Sequence, residues 1–315
     1  MGATEADAGA GDEADIGYDD APIALIFADS DERRMRAGEE VWSMGGRVAV
    51  SMSVAGASER LAEQVSAAMV MVEVGADGGA PLERLLDRVE EAAQARRFTS
   101  VVSIPPALID LAAARAGHGG VTLLCDPSPI ERTAAIGAAL SRERARFWAH
   151  DAKSTAMLPH LQQLSEEVGR IANRLAALSG AEAQPRFRNL AELPALAEEP
   201  CVDAAQIRAI IRARRLREQF FGAELFADPA WDMLLDLAAA RLERRQVAVS
   251  SLCIAAAVPP TTALRWIKTL TDHGIFVRVA DPNDGRRVFI ALSEEAAHEM
   301  MAYLAAAQRL GGVQA

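Results

Sequence analysis

From Pro22 onward, short apolar and largely β-branched runs alternate with longer amphipathic stretches. The runs are Ile23 to Ala28, Val48 to Val54, Met69 to Val74, Thr99 to Ile104 and Val121 to Cys125. Short apolar, β-branched runs of this length read as strands, five in all. Between them, Asp31 to Met44, Ser58 to Val65, Pro81 to Arg97 and Pro106 to Ala114 are long enough for crossover helices, and a further helix follows Pro129. The alternation predicts an α/β fold over residues 21–141, with a doubly wound five-stranded parallel sheet.

The flanking segments differ in kind. Residues 1–20 are mostly Gly, Ala, Asp and Glu, with seven acids and no Lys or Arg. So little apolar surface cannot offset the entropy of ordering, which predicts a disordered acidic tail. In 142–180, Leu161, Leu164, Val168, Ile171, Leu175 and Leu178 are spaced 3, 4, 3, 4 and 3 apart, and Met157 fits one step earlier. That is the rhythm of a coiled-coil seam and predicts a long dimerisation helix; a single amphipathic helix packing on its own domain is the other reading. Residues 181–202 are Pro-interrupted and aperiodic, as a linker would be.

A second folded region is expected over 203–315. Helices are predicted at Ala204 to Phe221 and, with Asp228 as cap and Pro229 at the first position, at Asp228 to Arg245. Ser250 or Ser251 caps a short helix through Ala257, Val258-Pro259-Pro260 turns the chain, and Thr261 to His273 forms the next helix, stopped by Gly274. Within it Ala263, Trp266, Ile267 and Leu270 share the inward face, leaving Thr261, Thr262, Arg265 and Lys268 outward, with Leu264 partly so. Ile275 to Ala280 and Arg287 to Leu292 flank the turn Asp281-Pro282-Asn283-Asp284-Gly285 and predict a hairpin carrying Arg286 and Arg287 at its tip. Hydroxyls and cations on such a helix suit phosphates and base edges, and an arginine at a hairpin tip suits a narrow minor groove.

This constellation resembles the winged-helix DNA-binding region of MarR-type transcription regulators over about Asp203 to Leu310. The carriers are the segments Ser251 to Leu270, Asp272-His273-Gly274-Ile275-Phe276, and the wing Asp281 to Arg287 leading to Leu292-Ser293. The resemblance implies that Asp284 positions Arg286 toward the minor groove and that the terminal helices, Ala204 to Phe221 and Ser293 to Leu310, build a dimer. Pro259-Pro260 in the turn departs from the family pattern.

The alternating units over about Pro22 to Leu140 resemble the receiver domain of bacterial response regulators. That likeness places the first-strand acids on Ala28 and Asp29, the phosphoacceptor on Glu73, the fourth-strand hydroxyl on Ser103 and the fifth-strand lysine on Asp126. Only one first-strand acid remains, and a cation is replaced by an anion, so phosphoryl transfer loses the charge that would neutralise developing oxygen charge. A pseudo-receiver without phosphorylation is expected. Glu73 reads as an ordinary strand-end carboxylate in preference to a mimic of a phosphorylated acceptor, and Asp29, Asp31, Glu73 and Asp126 are the acids that could gather a cation.

Charge adds direction. The formal net charge is −11, which argues against a generally basic nucleic-acid coat or adsorption to anionic membrane. Residues 1–200 hold 19 basic and 31 acidic groups, whereas 201–315 hold 14 and 13; between Arg241 and Leu292 the balance is eight to four. A locally cationic face on an anionic chain follows. No apolar run reaches the ~18 residues of a membrane span, and a cationic leader is absent from the start, so the expectation is a soluble cytoplasmic chain with no membrane partner. Cys125, Cys201 and Cys253 lack disulfide or zinc spacing, the five histidines lack HExxH, and no phosphate-cradling Gly loop or GxSxG elbow occurs. Neither an enzyme nor a cofactor or metal is expected. The expected function is that of a homodimeric regulator of double-stranded DNA, with a small-molecule or protein effector left open. The alternative is a protein-interaction scaffold using the pseudo-receiver and coiled coil.

Overall fold

We describe a computed structural model of the chain over residues 21–118, 120–151, 202–221 and 226–309. The first region runs β1 (Ile23–Ala28), α1 (Asp31–Ser43), β2 (Arg47–Ser53), α2 (Ala57–Glu63), β3 (Met69–Glu73), α3 (Ala80–Gln94), β4 (Thr99–Ile104), a 3₁₀ turn (Pro106–Leu108), α4 (Ile109–Ala116), β5 (Val121–Cys125) and α5 (Pro129–Asp151). All pairings are parallel and the strand order is β2-β1-β3-β4-β5, that of the flavodoxin-like doubly wound class.

The period-two geometry of strands sorts the core onto two faces. Leu25, Phe27, Val70, Val72, Val102 and Ile104 point toward α2, α3 and α4. Ala24, Ile26, Met69, Met71 and Val101 point toward α1 and α5. Local signals set the helix starts: the Ser30 hydroxyl accepts from the Arg33 N–H to cap α1, and Pro81 sits in the first turn of α3. α5 continues to Asp151, past the boundary expected near residue 141.

The second region runs α6 (Ala204–Leu216), a 3₁₀ turn (Arg217–Gln219), α7 (Pro229–Leu242), β6 (Val247–Ala248), α8 (Val249–Ala255), α9 (Pro260–Asp272), β7 (Phe276–Ala280), β8 (Val288–Leu292) and α10 (Glu294–Arg309). Asp203 and Gln206 form a reciprocal capping box on α6, and Asp228 caps α7 ahead of Pro229. β6, β8 and β7 make a three-stranded antiparallel sheet behind the helix pair α8–α9. The two-residue β6 has no counterpart in the sequence reading, and α6 ends as an α-helix five residues short of Phe221.

One apolar cluster runs from the α4 face of the parallel sheet into α8 and α9 without a break. α9 lies against β5, the edge strand of the large sheet, and α8 lies against α4. An edge strand covered by a helix is shielded from adventitious pairing. The expected acidic tail, the seam residues Leu161, Leu164, Val168, Ile171, Leu175 and Leu178, and the linker lie outside the described residues. Among the described residues no helix is long and apolar enough to cross a membrane.

Candidate functional site

The helix–turn–helix is α8, a turn in which Ala257 adopts φ 51°, and α9, closed by Gly274 at φ 72°. Gly274 meets the left-handed requirement of a helix stop at no steric cost. The faces of α9 differ from the helical-wheel expectation. Ala263, Ile267 and Leu270 are buried as expected, and Arg265 is exposed. Thr261, expected outward, is 4% exposed, and Leu264 is 6% exposed. Trp266, expected inward, is 38% exposed. Thr262 and Lys268 are half-buried, and Lys268 Nζ pairs with Asp272 at 3.1 Å.

The reason for the rotation is a second packing partner. The Cys125 N–H donates to Thr261 Oγ1 at 2.9 Å, and the Thr261 hydroxyl donates to the Cys125 carbonyl at 3.0 Å. α9 is therefore buried on two sides, against its own helix–turn–helix and against the end of β5. An open reading surface is replaced by one partly covered by the N-terminal region.

Polar contacts extend this joint on both flanks. α8 carries no side-chain cap of its own, contrary to the expected serine cap; instead Asp110, in the first turn of α4, accepts from the Ser250 N–H at 2.9 Å and from its hydroxyl at 2.7 Å. Arg278 on β7 donates to the Ala113 carbonyl at 2.7 Å, one of the last carbonyls of α4, where a cation is favoured by the helix dipole. An added Cβ at Gly117 would fall 2.6 Å from the Arg278 guanidinium, so that glycine opens the approach.

At the hairpin tip, Asp284 does not form an ion pair with Arg286. Its carboxylate accepts from the Arg286 main-chain N–H at 2.9 Å and lies 3.6 Å from Arg287 Nε. The Arg286 guanidinium reaches the N-terminal region instead, binding Asp77 and lying 3.3 Å from Glu83. The Arg286 hydrogen bond, and then the Gly79 N–H, hold the Asp77 carboxyl below its ordinary 3.8. Asp77, Glu83, Asp110 and Arg278 were not singled out in the sequence. Each looks like any solvated charge until the two regions are placed together.

At the carboxyl end of the parallel sheet the expected pseudo-receiver acids Asp29, Asp31 and Glu73 are engaged by arginines. Glu73 is 2% exposed and is held by Arg36 and by Arg132 Nη2 at 2.8 Å. Arg132, 5% exposed, also binds Glu40 at 2.7 and 2.9 Å. Burial alone would lower the Arg132 value, but the hydrogen bonds to Glu40 and Glu73 outweigh it and raise it. Asp29 pairs with Arg33 at 2.9 Å and accepts from the Gly75 and Ala76 N–H groups at 2.6 and 3.2 Å, while Asp31 pairs with Arg34. Ser103 is buried opposite Glu73 in the β3–β4 register, and Asp126 is exposed at φ 46°. No cluster of carboxylate, histidine or cysteine ligands suited to a cation occurs among the described residues.

No protein-family model matches the chain, and no curated protein is similar to it. A solved structure that is similar is that of NadR in complex with 4-hydroxyphenylacetate, at 21% identity over 38% of this chain and 82% of that one, with a TM-score of 0.23. So slight an overlap carries no argument, and the site rests on its own geometry.

Two outcomes follow. Replacing Arg132 by Met leaves Glu73 buried with one partner fewer and is expected to lower stability by roughly 3 kcal/mol in urea unfolding, with part restored by adding Glu73→Gln. Burial pushes the Cys253 thiol up to about 12, with Cys125 and Asp110 adding to it, and the Cys125 thiol up to about 11. In a Cys201→Ser background, alkylation at about pH 9 should therefore be roughly fiftyfold slower at Cys125, and roughly five-hundredfold slower at Cys253, than for an open thiol. Asp77→Asn with Asp110→Asn should accelerate it. The stabilisation that the Asp77–Arg286 contact gives to the joint is present above the ordinary 3.8 and is lost as the pH falls below that value.

Proposed function

We propose that the chain is a sequence-specific DNA-binding transcription regulator, homodimeric through residues 142–180, with α9 reading the major groove and the β7–β8 hairpin reaching the minor groove. The N-terminal region is a phosphorylation-independent, pseudo-receiver regulatory domain, and the arrangement described above is its closed state. The protein acts in the cytoplasm, is not an enzyme, and uses neither cofactor nor metal.

One observation carries this reading. The groups that a helix–turn–helix and wing would offer to phosphates are the groups that the N-terminal acids occupy: the Arg286 guanidinium by Asp77 and Glu83, and the Ser250 N–H and hydroxyl by Asp110. Carboxylates standing where phosphates would stand make closure and DNA binding mutually exclusive. Exposed Arg265 supplies the bidentate guanine contact, and Arg287, Thr262 and Lys268 supply supporting contacts once α9 is uncovered. Thr261 joins them only after it releases Cys125.

A second reading has its own support. Thr261 and Leu264 are buried against β5, and the apolar cluster is continuous across the joint, as in a permanent protein–protein contact. On that reading the chain is an interaction scaffold and the helix–turn–helix never meets DNA.

Selection of duplexes from a random library by the purified full chain separates the two. The regulator reading expects an enriched, roughly palindromic site and a binding constant that falls steeply with salt. Asp77→Asn with Glu83→Gln and Asp110→Asn should tighten binding. Arg265→Ala should weaken it by about 1–3 kcal/mol and relax one base preference. Arg286→Ala is less diagnostic, because it removes both the clasp and the wing contact. If neither the wild type nor the folded acid-neutralised variant enriches any duplex, the scaffold reading replaces this one.

A further inference from the structure

Where α9 approaches the large sheet it does not seal against it along its whole length. A cavity of about 440 Å³ remains between α5, β5 and α9, within the range of roughly 300–1,000 Å³ typical of small-molecule clefts. Its α5 wall is built of small apolar side chains, Ala134, Ala135 and Ala138, and its floor includes Leu123 and Ile267. Over this apolar trough stand four cations, Arg142, Arg265, Lys268 and Arg278, and one acid, Glu131.

The charge is poorly compensated from within. The Glu131 carboxylate is taken up by the Ser128 N–H and hydroxyl at 2.8 and 2.9 Å, in the first turn of α5. Among the described residues, no carboxylate pairs with Arg142 or Arg265, while Lys268 has Asp272. Arg278 gives one N–H to the Ala113 carbonyl, but its Nε is buried without an acceptor. A rim of cations over an apolar trough, with a buried Arg278 Nε that lacks an acceptor, is complementary to an anionic head carried on an apolar body.

We infer that this cleft binds a small organic carboxylate, its apolar body lying along the alanines of α5 and its anionic head between Arg142 and the cations of α9. Two of those cations, Arg265 and Lys268, belong to the proposed DNA-reading helix, so a carboxylate seated there holds α9 against β5. Ligand and DNA then compete, and by linkage each weakens the other to the same degree. The binding site does not depend on the DNA-binding reading; the competition rests on it.

Sodium octanoate is a suitable probe, with acetate, which lacks the body, and 1-octanol, which lacks the charge, as controls. Calorimetry on the full chain should show saturable binding of octanoate, with acetate and octanol each at least tenfold weaker. Ala138→Trp, at an exposed position on the cleft wall, should abolish octanoate binding, and Arg142→Glu should weaken it at least tenfold; each variant's fold is checked by circular dichroism. Absence of saturable octanoate binding overturns the site, as does binding equal to that of octanol or unchanged in the folded variants. In the second arm, octanoate should release a selected duplex from wild type but not from Ala138→Trp. Octanoate that binds but leaves duplex affinity unchanged overturns the competition alone. If no duplex is bound at all, the DNA-binding reading fails and calorimetry still decides the site.

Discussion

The way the two described regions meet turns on one hydroxyl. Thr261 Oγ1 both accepts from the Cys125 N–H and donates to the Cys125 carbonyl, in a place buried from solvent. Each such bond is worth only about 1 kcal/mol net, but breaking them without a substitute strands buried polar groups at a cost of roughly 1–3 kcal/mol apiece. The pair therefore acts less as glue than as a register mark. It allows α9 to sit against the end of β5 in one position, and that position brings Ser250 onto Asp110, Arg278 onto the end of α4 and Arg286 onto Asp77.

That joint explains why two ordinary folds combine into something neither has alone. In an open α/β sheet the crevice at the carboxyl ends of the strands is where ligands are usually bound. Here it is filled by the network of Glu73 and Glu40 with Arg132 and Arg36, whose charges satisfy one another. The joint between the two regions lies instead on the sheet's flank, where β5 and α4 meet the helix–turn–helix. Acids on that flank face cations across it at the hairpin tip, and around the cleft the cations exceed the acids.

Much of the architecture was legible beforehand, for physical reasons. Central strands of a parallel sheet are buried on both faces, so β1 and β3 appear as nearly continuous apolar runs, while β4 and β5 keep small hydroxyl residues among β-branched and apolar ones; the limits of all four agree to within one residue of expectation. The hairpin and the stop of α9 were written in turn chemistry, Pro282 to Gly285 and Gly274. What was illegible was everything that depends on two distant segments meeting. A helical wheel assumes one buried side; α9 has two, so Leu264 and Thr261 went in and Trp266 came out. Asp77, Glu83 and Asp110 carry no local mark distinguishing a clasp from a solvated charge. Neither expected serine caps α8, because the helix begins at Val249 with Ala248 at the cap position, and the Ser250 N–H finds its acceptor in Asp110 of α4.

The most direct test of the central claim is amide hydrogen exchange across the joint, on the full chain alone and saturated with its selected duplex. The account expects the Cys125 and Ser250 amides, whose acceptors lie in the other domain, to be protected in the free protein and to lose that protection together when DNA is bound. Protection that persists unchanged under saturating duplex would contradict it, because α9 could then not have left β5.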